Sequence, residues 1–198
     1  MKIDEEAYAD ELAAVAIERG AAQNERELAD LIETLRRTRR NVRAVLEIGV
    51  YKGGTLWLWK TLWPQAEVVG IDNMTLLKCE ACEHRRAHSD CPFMMFELNT
   101  HNTHLLRRDS ADVPAHFRPA SFDILHIDGD HTPTGVRKDW NNYTPMVRAG
   151  GLVLIHDVAN EGAPGWGVHE LWAETLSKMP GAYAISQPGS YGIGIVPV

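Results

Sequence analysis

Residues 122–158, FDILHIDGDHTPTGVRKDWNNYTPMVRAGGLVLIHDV, constrain this chain more than any other stretch. FDILHI is an apolar run of strand length, and Asp128 follows at the point where a buried parallel strand would emerge from its sheet. Thr132 is placed to cap a helix whose first residue is Pro133, and Gly150 and Gly151 are expected to stop that helix before a second apolar run, LVLI. His156 and Asp157 then emerge as Asp128 did. Two successive parallel strands of one sheet therefore deliver Asp128, His131, His156 and Asp157 to one crevice, at the sheet edge where open α/β sheets bind ligands. Two carboxylates and two imidazoles meeting there suggest a metal site or an acid/base site.

Upstream, the chain supplies the same alternation. A helix is expected over residues 4–19, closed by Gly20, and a second runs from the N-cap Asn24 to about Arg39, with Leu28, Leu31, Ile32 and Leu35 on one face. These helices pack beside the sheet or form a dimer contact. AVLEI, residues 44–48, runs into GVYKGGT and a helix lasting until Pro64, which reads as strand, glycine loop, helix. Glycines there let the backbone approach a ligand, and the helix N-terminus behind them offers free amides to an anion. The next strand, EVVGI, ends in Asp72, and an acid at that tip suits ribose hydroxyls. With Glu47 on the first strand, this arrangement suits a nucleoside-containing cofactor. THLLRR is the third strand, leading to Asp109, Ser110 and a short helix over residues 111–117. A helix starts near residues 165–167, and AYAISQ and YGIGIV, joined by Pro188, Gly189 and Ser190, read as a hairpin. Trp166 and Tyr191 fall at the mouth of the crevice, where aromatic rings can stack on a sugar or ring. The expected architecture is α/β, a doubly wound, mostly parallel sheet closed by an antiparallel C-terminal hairpin.

Composition sets the limits on partners. A length of 198 residues fits a single domain over 1–198, with N-terminal helices in residues 1–40. No apolar run approaches bilayer length, and the acidic start MKIDEEAYADE has no signal-peptide pattern, so no membrane association and a cytoplasmic location are expected. A formal net charge of -7 argues against nucleic acid as a partner, and Arg36, Arg37, Arg39 and Arg40 read as the basic end of a helix. Residues 73–102 read as an inserted loop or lid. Within it Cys79, Cys82, His84, His88 and Cys91 offer enough ligands for a structural Zn, yet their spacing matches no standard finger and free thiols are an equal reading. His126, inside an apolar strand, reads as a core histidine, and Trp57, Trp59 and Trp63 read as packing residues.

With those residues in place, the chain resembles the class I S-adenosylmethionine-dependent methyltransferases, LEIGVYKGGT being similar to their first motif. More narrowly, EIGVYKGG, IDGDHTPTGVRKDW and GGLVLIHDV, in that order, are similar to the metal-dependent O-methyltransferases of macrolide sugars, rhamnosyl groups and cephalosporin biosynthesis. The resemblance implies a Rossmann-like, seven-stranded sheet and S-adenosylmethionine as cofactor. It implies that Glu47, Gly49, Gly53 and Gly54 hold the methionine end and sugar, that Asp72 takes the ribose hydroxyls, and that Asp109 and Ser110 flank the adenine. It places a divalent metal on Asp128, His156 and Asp157, and the general base on His131. The sugar-modifying relatives usually carry an acid where this chain has His156, so Mg is expected while Mn, Fe and Zn stay open. The implied activity is methylation of a hydroxyl on a small molecule, a sugar or polyhydroxylated natural product, by a homo-oligomer. A catechol-like phenolic O-methyltransferase is one alternative, and a zinc-stabilised, non-catalytic binding module on the same fold is another. A nicotinamide-binding oxidoreductase would leave Asp128 and Asp157 unexplained, and the loop lacks the compact G-x-G-x-x-G spacing.

Overall fold

The structure, a computed structural model, describes residues 4–39, 41–75, 102–161 and 165–198. Cys79, Cys82, His84, His88 and Cys91, with most of the 73–102 insertion and Arg40, lie outside the described residues.

Two helices open the chain, α1 (Glu5–Glu18) and α2 (Glu25–Thr38). Asp4 caps the first, and Asn24 caps the second by accepting the Glu27 N–H at 3.1 Å. Strand β1 (Ala44–Ile48), helix α3 (Gly54–Leu62) and strand β2 (Glu67–Ile71) follow as expected, and then β3 (Thr103–Leu106) and β4 (Phe122–Ile127). Helix α4 (Pro133–Tyr143) begins at the Thr132 cap, whose hydroxyl accepts the Gly135 N–H at 3.1 Å. Strand β5 (Val147–His156), helix α5 (Val168–Glu174) and strands β6 (Tyr183–Ile185) and β7 (Ile193–Pro197) complete the order.

The seven strands lie in the order β3-β2-β1-β4-β5-β7-β6. The first five are parallel, and β7 runs antiparallel to both of its neighbours. Strand order reverses between β1 and β4, which is where a doubly wound sheet leaves a crevice at its C-terminal edge. Side-chain alternation splits the core into two layers. Val45, Val68 and Ile124 face the layer holding α1, α2 and α3, including Leu12, Leu28, Ile32 and Trp59. Leu46, Ile48, Leu125 and Val153 face the layer holding Val136 and Tyr143 of α4 and Leu171 of α5. Both N-terminal helices thus pack on the sheet. Trp59 and Trp63 stack at 6.2 Å within that layer, and Trp57 packs against it half-buried. No helix among the described residues is long and apolar enough to cross a membrane.

Three local expectations are corrected. Gly150 and Gly151 do not stop the fourth helix: it ends at Tyr143, and a 3-10 turn over Thr144–Met146 carries the chain into β5. Pro145 removes an N–H that the helix would need, and the two glycines instead sit inside β5, in the stretch where its register against β4 shifts. Residues 111–117 form two 3-10 turns, Ser110–Asp112 and Pro114–His116, because Pro114 interrupts helical bonding. The terminal hairpin is present, but β7 inserts beside β5 and the connection from β6 spans residues 186–192.

Candidate active site

At the crevice the sheet opens into a cavity of about 1140 Å³. That exceeds the roughly 300–1,000 Å³ of an ordinary small-molecule pocket, leaving room for a cofactor and an acceptor together. Its first half is built on the tips of β1 and β2. Gly49 has φ +83° there, and a Cβ on it would lie 2.0 Å from the backbone oxygen of Asp128, so only glycine fits where the two strand ends meet. Asp72 gathers the loop beyond it. Its Oδ2 accepts the N–H groups of Val50 and Tyr51, both at 2.8 Å, and its Oδ1 accepts that of Met74 at 2.6 Å. Asp72 still lines the cavity, as do Asp109 and Ser110. The Asp109 carboxylate accepts the Ala111 N–H at 2.9 Å, and the Ser110 hydroxyl donates to Asp139 Oδ1 at 2.6 Å.

Asp139, on α4, did not stand out in the sequence. It is buried on the cavity wall, and its Oδ2 has no hydrogen-bond partner among the described residues. Burial pushes its carboxyl up to about 6, only partly offset by the Ser110 hydroxyl.

Glu47, Gly53 and Gly54 do not line the cavity. Glu47 faces the α3 layer, fully buried, because it shares the strand face of Val45. It accepts a hydrogen bond from the Thr55 hydroxyl, and its Oε1 lies 3.1 Å from His126 Nδ1, while burial pushes its carboxyl up. Thr55 itself is on the wall, so Glu47 supports the site through it. Gly54 lies against the turn between α1 and α2, where a Cβ would come within 2.1 Å of the Ala21 nitrogen. That close approach brings Ala21 and Gln23 to the cavity wall.

The second half is built on the residues after β4, with Asp128 and His131 on its wall, and the tip of β5 packs behind them. His131 Nε2 sits 3.2 Å from Asp128 Oδ1 and 3.0 Å from Asp157 Oδ2. Potential ligand atoms of these three residues all lie within 4.8 Å of one another. From the buried side, His156 Nδ1 approaches Asp128 Oδ1 at 3.3 Å and Asp157 Oδ2 at 3.1 Å. The structure therefore brings together the expected trio Asp128, His156 and Asp157 and adds His131, expected as the base, to the same cluster. Asp157 holds a left-handed backbone, φ 67°, uncommon for a residue with a side chain and frequent where function fixes a position. Gln23, also unforeseen, donates from Nε2 to Asp128 Oδ2 at 2.8 Å, leaving Oδ1 to face the cluster.

Charge balances within this half. Burial alone would raise both carboxyls, but the imidazoles overcome it: His156 and His131 hold Asp128 far below the ordinary range, and His131 and His156 lower Asp157. Burial likewise opposes the charged imidazoles, yet hydrogen bonds to Asp128 and Asp157 take His131 up to about 9, and the same carboxylates raise His156 well above its ordinary value. Two carboxylate oxygens and one imidazole nitrogen also fit a divalent ion, and the nitrogen suits Mn, Fe or Zn better than an all-oxygen set would.

The two imidazoles differ in access. His156 is buried, with Tyr191 edge-on at 6.4 Å, whereas His131 is on the cavity wall beneath Trp166, whose ring stacks on it at 4.4 Å and 10°. The Gly167 N–H donates to the His131 carbonyl at 2.7 Å, fixing that segment in place.

Residues 46–158 match a family model described as a methyltransferase domain. The chain is 32% identical over 130 residues to mycinamicin VI 2''-O-methyltransferase of Micromonospora griseorubida, covering 62% of this chain and 29% of that protein. It is 27% identical over 134 residues to the 8-demethyl-8-(2-methoxy-alpha-L-rhamnosyl)-tetracenomycin-C 3'-O-methyltransferase of Streptomyces olivaceus, covering 62% and 30%. The chain spans between 10% and 50% of the lengths of the curated relatives it matches. Among solved structures, MycE methyltransferase in complex with Mg and SAH aligns with TM-score 0.61 at 20% identity, over 95% of this chain and 54% of that one. The O-methyltransferase TomG from Streptomyces achromogenes in complex with SAM aligns with TM-score 0.60 at 19% identity, over 100% and 92%. These structural likenesses establish the fold.

Proposed function

Since the chain belongs to the methyltransferase-domain family of class I S-adenosylmethionine-dependent enzymes, we propose that it methylates a hydroxyl of a small polyhydroxylated molecule, with divalent-metal assistance. The observation that carries this reading is the cluster of Asp128, His131, His156 and Asp157, two of whose members, Asp128 and His131, line the same cavity as Gly49 and Asp72. The relatives named for methylating sugar positions of mycinamicin and tetracenomycin support the acceptor class.

In this reading S-adenosylmethionine supplies the methyl group. Asp72 receives the ribose hydroxyls with lone pairs left over from the loop amides, and Asp109 and Ser110 line the adenine end. Gly49 lets the cofactor lie against the backbone of both strand tips, with Glu47, Gly53 and Gly54 shaping the loop from behind. A divalent ion bound there would supply Lewis-acid chemistry, lowering the pKa of an acceptor hydroxyl. Asp128 and Asp157 would hold it, with His156 Nδ1 closing the set from the buried side. His131 is the accessible imidazole, and it takes the hydroxyl proton at Nε2 as the oxygen–methyl bond forms and the methyl–sulfur bond breaks with its electron pair left on sulfur. Its Nε2 lies 3.2 Å from Asp128 and 3.0 Å from Asp157, within reach of an acceptor held beside those carboxylates. Trp166 keeps the ring plane fixed and offers the acceptor an apolar face. Alignment of oxygen, methyl and sulfur in this closed space would supply much of the acceleration.

The deciding experiment is calorimetric titration with S-adenosylhomocysteine after chelation and again with Mg or Mn, followed by methyl transfer to a panel of vicinal sugar diols and catechols. Micromolar or tighter cofactor binding and metal-dependent turnover on diols are expected. Absence of cofactor binding in every metal state would remove the reading, and turnover on catechols alone would replace the acceptor class.

A further inference from the structure

Glu27 takes no part in the cavity, yet it is fully buried on the first turn of α2. A buried carboxylate is costly unless its oxygens find partners. Oε2 accepts the Gly192 N–H at 2.9 Å, tying α2 to the start of β7. Among the described residues Oε1 has no hydrogen-bond partner and lies 3.7 Å from His156 Nε2, which also has none. The opposite nitrogen of the same ring, Nδ1, faces Asp128 and Asp157. Holding the Gly192 amide requires only an acceptor, which a neutral amide side chain would provide at lower cost. The second carboxylate oxygen faces the ring nitrogen on the far side, His156 Nε2.

We propose that Glu27 is a positioning residue for the metal centre: it holds a proton of His156 on Nε2, so that Nδ1 is the nitrogen that would give its lone pair to an ion between Asp128 and Asp157. This rests on the metal-assisted reading above. A carboxylate behind a ligating histidine fixes its tautomer and ring orientation, and losing one commonly costs about 10- to 100-fold in metal affinity. Gln23, just ahead of α2, orients Asp128 from the same end of the helix. The entry to α2 thus reaches both Asp128 and His156 from behind the cluster.

Glu27→Gln tests this at one atom. Its amide oxygen stays with the Gly192 N–H, and its NH₂ group then faces Nε2, forcing the ring proton onto Nδ1, where it blocks ligation. By calorimetry, Mn²⁺ affinity is expected to fall about 10- to 100-fold, while S-adenosylhomocysteine affinity stays within about twofold. In a His156→Ala background the same change should have no further effect on Mn²⁺. Wild-type Mn²⁺ affinity in Glu27→Gln, or an equal loss in both backgrounds, overturns the inference and leaves Glu27 a packing role. A wild-type protein that binds S-adenosylhomocysteine but no Mn²⁺ overturns the metal reading as well. Nitrogen NMR of the histidine-labelled, Zn²⁺-loaded wild type gives an answer that needs no folded variant: a His156 protonated at Nε2 and bound at Nδ1 is expected, and the opposite tautomer refutes the assignment.

Discussion

Where Asp72 meets the glycine loop, three backbone N–H groups converge on one carboxylate, from residues within 22 positions of it in the chain. Where Asp128 meets Asp157, the partners are side chains: two imidazoles, and a glutamine 105 positions away. The contrast teaches how the cavity divides its labour. Backbone amides tolerate substitution and suit a cofactor whose shape does not change. Side chains place charge where the reacting atoms need it, at the cost of depending on distant elements for their orientation.

If that division holds, changes in one half should leave the other half's ligand untouched. The largest effect is expected for His131→Ala, which should lower turnover roughly 10²- to 10⁴-fold while S-adenosylhomocysteine affinity stays within about twofold. Single-turnover methyl transfer with parallel calorimetry measures both, and a large loss of cofactor affinity would break the comparison. Next, Asp72→Asn removes an acceptor shared by Val50 and Tyr51. At ~1.5–3 kcal/mol for a hydrogen bond to a charged group, cofactor affinity should drop about 10- to 100-fold. Mn²⁺ affinity should hold, and a parallel loss of Mn²⁺ would show that the halves are coupled.

The smallest effect concerns Asp139. Its carboxyl ordinarily titrates near 4, and burial takes it to about 6 in the folded protein. Between those values the folded protein binds a proton that the unfolded chain has released, so stability should decline as the pH rises from about 4 to about 6 and stay at the lower level above. Thermal melts of wild type and Asp139→Asn across that window should show the decline in the first and its loss in the second. An identical pH slope in both would mean that Asp139 does not titrate there.

The same contrast governs what the sequence made legible. The strand–loop–helix order and the residues at strand tips, Asp72, Asp128, His156 and Asp157, were readable because each is announced by the apolar run that precedes it. The orientation of Glu47 was not, because alternation along β1 turns it into the α3 layer, off the cavity wall. Gly150 and Gly151 pointed to a helix end, yet Pro145 had already ended the helix and the glycines bend a strand. Asp139 sits 29 positions from its Ser110 partner and Glu27 sits 165 from Gly192. Such pairings follow from tertiary packing and leave no local pattern behind.

The placement of β7 has a consequence for the order of synthesis. Because it lies between β5 and β6, β5 has no neighbour on that side until residues 193–197 leave the ribosome, and Glu27 waits equally long for the Gly192 amide. Chains are made from the N-terminus, so the end of the cavity at Gly49 and Asp72, whose strands β1 and β2 precede β4, can begin to assemble during translation. The charged end is completed last, and a chain stalled before β7 would carry the glycine loop and Asp72 without a finished surround for His156.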